Sequence, residues 1–364
     1  MSLIYNATFD SQTRILSLLD KAGNVISSCE VPRKSNELTL TATADNSSVK
    51  LTKNGTVDNT YEVNTGSGWT AYEFDTVINL NKGQSCKWRC TNHPTSFNYI
   101  THVQFVMTGS IEASGEVYSM LSMNLSDVTT LKGYGGAFIH LFENCTSLIK
   151  APELPATTLE VSCYELMFMG CTSLTSAPQL PATTLATSCY NNMFRGCTNL
   201  WSAPQLPATT LATSCYNSMF RGCRNLRSAP QLPATTLADS CYYFMFMDCG
   251  ALTSAPQLPA TTLATSCYNS MFYDCDSLTQ APALPATTLA NWCYNNMFRG
   301  CYRLKEVRIA ATKTADNALK EWLSGVSATG DFYCDPNATI FPTNSGSGIP
   351  ANWNRHALAD YPQT

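Results

Sequence analysis

A sixteen-residue string, SAPQLPATTLATSCYN, occurs letter for letter at 176–191, 202–217 and 254–269, always inside a repeat of 26 residues. Pro155, Pro181, Pro207, Pro233, Pro259 and Pro285 keep that beat, and so do two cysteines per unit, from Cys163 and Cys171 to Cys293 and Cys301. A unit of this size cannot enclose a core by itself, so its apolar letters must face the next copy, and the chain must build a solenoid. Within one unit, CYNNMFRGC places apolar residues at positions 1, 2, 5, 6 and 9, a spacing that predicts a short helix or helical turn. The prolines of the following LTSAPQLP forbid helix and predict a brief extended segment, turned by PATT. An earlier degenerate copy, AFIHLFENCTSLIKAPELPATTL, has Ala137 in place of the first cysteine and reads as a transition into the array.

Identical units stack on identical neighbours about 4.8 Å away, so an interior letter must suit both sides. Fixed letters are therefore packing letters, and the variable ones face outward; recent duplication would leave the same identity. Two places after each first cysteine stand Glu165, Asn191, Asn217, Tyr243, Asn269 and Asn295. Six places after it stand Met169, Arg195, Arg221, Met247, Tyr273 and Arg299, and twelve after it Thr175, Trp201, Arg227, Thr253, Thr279 and Lys305. Each set is expected to form a column.

Arg195, Trp201, Arg221, Arg224 and Arg227 thus gather in neighbouring copies, and the stretch beyond them carries Asp239, Asp248, Asp274 and Asp276. With Tyr243 and Tyr273 in adjoining columns, they are the candidate ligand-binding residues. Guanidinium forks pair with carboxylates and an aromatic face covers an apolar sugar face, which suits an acidic glycan. The competing reading is a set of solvated side chains on a chain with only 13% charged residues.

The formal net charge of −4 gives no general pull toward nucleic acid or an anionic membrane, and no apolar stretch approaches the roughly 20 residues of a membrane helix. Seventeen cysteines invite a metal or disulfide reading. Their spacings of eight and eighteen do not match zinc pairs, and the only histidines are His93, His102, His140 and His356. A disulfide ladder between turns is geometrically possible, but a column of equivalent thiols has no reason to pair one way. Reduced, buried thiols acting as small apolar fillers are expected. No cofactor is implied. Nucleophile elbow, phosphate loop and paired-carboxylate signatures are missing, so no catalytic residue is assigned and no enzyme is expected.

Residues 37–105 have another texture. Alternating runs such as LTLTATA, SVKLTKNG and QSCKWRC, broken at Asp45-Asn46, Asn54-Gly55 and Gly66-Ser67-Gly68, predict a small antiparallel β-sandwich with Trp69 and Trp88 in its core. HVQFVMTGSIEASGEVYSMLSM reads as strands feeding the array and capping its open end. Residues 1–36 hold three strand-like runs, too few to hold a core alone, and read as an attachment or oligomerisation segment. The array with its N-terminal cap takes 106–310 and a C-terminal cap 311–364.

The unit CYNNMFRGCTNLWSAPQLP resembles the leucine-rich-like repeats of BspA-type surface proteins, with Cys at a Gly-like position and Met for Ala; GSGIPANWN resembles the closing segment that often follows such arrays. The resemblance covers Ala137 to roughly Ile309. It implies a fold of mixed β and α/β class, an N-terminal β module and an Ig-like β-sandwich followed by a leucine-rich-repeat-like solenoid. It also implies surface recognition without catalysis. Proteins of this family occur on gut bacteria, and similar arrays occur in particles of their phages. The start of the chain lacks the basic, apolar and small-residue pattern of a secretory signal. The expected function is therefore a virion fibre or decoration, assembled in host cytoplasm, that adheres to host surface glycans or proteins. Its partners would be other virion proteins through the N-terminal segment, or further copies of the chain. The alternatives are a bacterial cell-surface adhesin and a purely structural virion part.

Overall fold

The computed structural model describes residues 6–10, 15–19, 22, 25–30, 37–92, 97–121, 129–343 and 345–361 of the chain. Parts of the expected attachment segment, 1–5 and 31–36, and His93 lie outside the described residues. The chain divides into two compact units, Met1–Glu37 and Leu38–Thr364. In the first, strands β1 (Asn6–Asp10), β2 (Ile15–Leu19) and β3 (Val25–Glu30) form an antiparallel sheet in that order.

The second unit begins with the alternating sequences, which form strands. β4 (Leu38–Ala42), β5 (Ser47–Asn54), β6 (Tyr61–Asn64), β7 (Trp69–Tyr72), β8 (Ile78–Leu80), β9 (Ser85–Cys90), β10 (His102–Thr108) and β11 (Ile111–Ser114) divide between two sheets. In β9 every second residue, Cys86, Trp88 and Cys90, is buried, which is the period-2 signature of a half-buried strand. Trp88 is packed edge-on against Tyr72 and Phe105. Trp69 departs from expectation: it is only half-buried, and the Arg89 guanidinium lies 4.1 Å from its ring centroid.

The expected helix does not form. Among the described residues there is no α-helix and only two short 3-10 segments, Val117–Met120 and Leu358–Asp360, so the α/β part of the fold class is corrected to a β and turn architecture. Each CYNNMFRGC segment is instead a run of consecutive tight turns. In the copy at 186–197, the N–H groups of Cys189, Asn191, Met193, Arg195 and Cys197 donate to the carbonyl three residues back. Those of Ser188, Tyr190, Asn192, Phe194 and Gly196 donate to Thr213, Cys215, Asn217, Met219 and Arg221 of the next copy, at 2.8–3.0 Å. Every backbone donor of the run is thus satisfied, alternately within a copy and between copies. The turns require a left-handed residue every fourth position: φ is +56° at Ser188, +55° at Asn192 and +73° at Gly196. Serine, asparagine and glycine stand there because they accept that backbone with least strain.

Successive copies stack in register, with parallel bridges such as Ser176 to Ser202 to Ser228. Inside, two files of rings run along the stack. Tyr164 to Tyr294 pack with centroids 5.6–5.9 Å apart, and Phe142 to Phe298 with centroids 5.5–5.7 Å apart. Phe105 of β10 stacks on Phe142, and Trp322 covers Tyr294 and Phe298 at the other end. The first sheet system is continuous with the array, since β11 pairs in parallel with β12 (Leu148–Lys150). The turn run recurs once more than the cysteines announce, at 315–325, with left-handed Asn317, Glu321 and Gly325. β13 (Glu306–Arg308), β14 (Gly330–Cys334) and β15 (Trp353–Ala357) then pair in parallel.

Sixteen cysteines among the described residues are free and buried. The second thiol of each copy donates to a phenylalanine carbonyl of the copy before, for example Cys197 to Phe168 and Cys223 to Phe194, both at 3.1 Å. Under native conditions these thiols are expected to resist alkylation, whereas the denatured, unreduced chain should titrate as all seventeen; a count far below seventeen would show disulfides.

Candidate recognition surface

The turn runs carry four columns on one side, one, two, three and six places from each first cysteine, the first of them on its N-terminal side; members of the two- and three-place columns such as Glu165, Asn269 and Ser270 are buried. Where the column letters are small, as in Ser188, Ser214, Asn191 and Asn217, the surface carries short polar groups. Arg195, Arg221, Met247, Tyr273 and Arg299 occupy the six-place column in consecutive copies, so the first two arginines and Tyr273 lie along one file. Arg224, Trp201 and Arg227 lie beyond the second cysteine, on the segment that follows the turn run. Trp201 is 57% exposed, and its file is continued by the Arg227 N–H donating to the Trp201 carbonyl at 3.4 Å. Tyr243 stands in the two-place column, so the seven sequence-assigned residues divide between the turn run and the segment that follows it.

Of three successive copies, the first and the last interrupt their columns of small turn residues, with Phe244 and with Trp292. Between 240 and 299 a groove of about 660 Å³ opens, lined by Tyr243, Phe244, Met247, Tyr273, Trp292 and Arg299 around a floor of serines and asparagines. Tyr243 and Tyr273 line it; Arg195, Trp201, Arg224 and Arg227 do not. Arg221 reaches its edge, its guanidinium 5.2 Å from the Phe244 ring centroid, and Arg299 lies 5.8 Å from that of Tyr273. Register explains the depression. The Phe244 N–H donates to Asn269 and the Ser270 N–H to Asn295, so Ser270 stands in its column between Phe244 and Asn296, while Ser266 precedes Trp292 by one copy.

Phe244 and Trp292 occupy left-handed positions, at φ +56° and +59°. A bulky residue there costs about 1–3 kcal/mol, which the surrounding hydrogen bonds must hold in place. The sequence reading missed both residues. The available signal was that a large aromatic replaces the Ser or Asn of its column. Asn269, Ser270 and Asn295 are buried beneath, with the Ser270 hydroxyl donating to Asn269 Oδ1 at 2.8 Å and Asn296 Nδ2 to Asn295 Oδ1 at 2.5 Å.

Charge beside the groove is acidic. Burial pushes the Asp274 carboxyl above its ordinary range, Asp248 and Asp276 add to this, and Arg299 opposes it. At the N-terminal end of the stack, the His102 and His140 rings lie 4.3 Å apart and His140 Nδ1 is 2.5 Å from Glu143 Oε2. Burial, then the neighbouring His140, lowers the pKa of His102. Among the described residues no group of three His, Cys, Asp or Glu is placed to hold a metal ion, and no helix is long and apolar enough to cross a membrane.

A stack of short repeats with a fixed interior and a varied outer file defines a repeat protein whose variation lies on its surface. The family model described as BspA type leucine rich repeat region matches in six copies, over residues 138–278 and 187–321, together about half of the chain. The chain belongs to that family, a non-enzymatic repeat family of surface-adhesion type whose members are typically associated with the cell surface. No curated protein and no solved structure matches the chain.

Proposed function

We propose that the chain is a non-enzymatic adhesion protein that displays its repeats as a recognition solenoid toward surface glycans or proteins. The observation that carries this reading is the division of labour within the repeat. The buried Cys, Tyr, Met, Phe and Leu are held from copy to copy, while the outward columns vary and collect Arg195, Arg221, Trp201 and Arg227 together with Tyr243 and Tyr273. The finer proposal is a virion fibre or decoration, with the Ig-like sandwich as spacer and residues 1–36 as attachment segment. It is supported by the separate compactness of Met1–Glu37, a three-stranded sheet too small to bury much surface alone. A bacterial cell-surface adhesin is the second reading, favoured by where proteins of this family are typically found.

Arg221→Ala combined with Trp201→Ala tests the recognition reading. Both side chains reach solvent, so thermal stability should change little, while binding to surface polysaccharide from the host should weaken about tenfold, on the order of 1.4 kcal/mol. Sedimentation of the protein with purified envelope material measures this. Unchanged binding would remove the arginine and tryptophan strips from the recognition surface.

A further inference from the structure

We propose that the groove between Tyr243 and Arg299 binds one neutral pyranose unit of a surface glycan, an assignment that rests on the adhesion reading and gives it a site and a ligand class. Its volume, about 660 Å³, lies within the range of small-molecule sites. Its walls and floor supply the two kinds of contact a sugar ring needs. Phe244 and Trp292 offer aromatic faces to the C–H side of a pyranose, and Trp292 remains 38% exposed. Ser270, Asn269 and Asn295 offer hydroxyl and amide groups to the sugar hydroxyls.

An unsatisfied group points to a missing partner. Asn295 lines the groove with only 4% of its surface exposed, its Oδ1 is taken by Asn296, and its Nδ2 has no hydrogen-bond partner. A buried amide donor left unpaired is costly, and a ligand oxygen admitted by a small movement of the floor would satisfy it.

Charge selects a neutral ligand over an acidic one. Arg299 is the cation among the lining residues and Arg221 reaches the edge, but Asp274 Oδ1 lies against Gly300, the residue after Arg299, with Asp248 and Asp276 close by. These carboxylates stand outside the lining, but Asp274 interacts with Arg299 and offsets the charge an anion would meet there. Sugar hydroxyls need no net positive charge and can accept from the guanidinium. The acidic sugar expected for the arginine strips is therefore not the ligand of this groove.

Phe244→Ser and Trp292→Ser replace each aromatic with the serine its column carries in neighbouring copies, at Ser218 and Ser270 and at Ser240 and Ser266. The substitutions remove the walls while keeping, or easing, the left-handed backbone. The full chain is titrated by saturation-transfer NMR with methyl glycosides of glucose, galactose, mannose and N-acetylglucosamine, and with methyl glucuronoside as the anionic counterpart. At least one neutral glycoside should bind the wild type, and bind each variant at least tenfold more weakly with no fall in thermal midpoint. Absence of any neutral binding, equal binding by the variants, or preference for the glucuronoside would overturn the assignment. A wild-type chain that adheres to bacterial envelopes yet takes up no neutral glycoside would remove the groove alone and leave the adhesion reading intact.

Discussion

Alanine at Phe220 is expected to lower the unfolding free energy by about 3–5 kcal/mol and to divide one unfolding transition into two. The ring is fully buried in the middle of its file, with Phe194 and Phe246 stacked at 5.7 Å on either side. Removing it leaves a cavity that neither neighbour can fill, because each is already held by the next ring in the file. In a stacked array each copy is stabilised mainly by contact with its neighbours, so loss at one junction uncouples the copies on its two sides. Guanidinium titration followed by circular dichroism reads both effects. A single transition shifted by less than about 1 kcal/mol would mean that the aromatic files do not hold the stack together.

A second large effect follows from the buried thiols. Cys163, Cys197, Cys241 and Cys301 are each pushed up from an ordinary 9.0 to about 12, in every case first by burial, which disfavours the thiolate. Below pH 9 these thiols are protonated whether the chain is folded or unfolded, and they leave stability independent of pH. Between about 9 and 12 the unfolded chain releases protons that the folded chain still holds, so stability falls as pH rises. Each thiol contributes about 1.4 kcal/mol per pH unit in that window. Four acting together at pH 10 amount to on the order of 6 kcal/mol, comparable to the whole stability of many domains. The buried tyrosines push the same way, since burial raises Tyr190 and Tyr242 well above 10.0. Cooperative unfolding near pH 10 to 11 is expected, with thiolate and tyrosinate absorbance rising only as ellipticity is lost. Ellipticity held to pH 12 while thiolates titrate gradually would contradict this account of the core.

The repeat period and its buried letters were legible because 26-residue spacing and cysteine placement are properties of the sequence itself. The alternating β-strands were legible for a similar reason, since Cys86, Trp88 and Cys90 repeat with period 2. The helix was misread because apolar positions 1, 2, 5, 6 and 9 fit a turn every four residues as well as a helical turn of about 3.6. The deciding letters were the polar ones, Ser188, Asn192 and Gly196, which recur every fourth residue where the backbone is left-handed. The final turn run was hidden because it has no cysteines and is one residue closer: Tyr294 donates to Ala318, whereas Tyr268 donates to Cys293. Outward columns could be written from spacing, and Tyr243 and Tyr273 came from them. The groove could not, because it depends on which columns stand side by side once the turn run replaces the helix. Trp69 lies on the other face of β7 from buried Tyr72: it pairs with Asn64 where Tyr72 pairs with buried Tyr61, and stands half-buried beneath Arg89.

The adhesion reading has the chain hold a varied repeat surface outward, and the finer proposal places it on a phage particle. Separating purified phage particles from cell envelopes of the source culture, and searching each fraction by mass spectrometry for peptides of this chain, tests it most directly. The virion proposal expects peptides in the particles, in amounts comparable to other particle proteins. Peptides confined to the envelope fraction would contradict virion placement and make the chain a cell-surface adhesin.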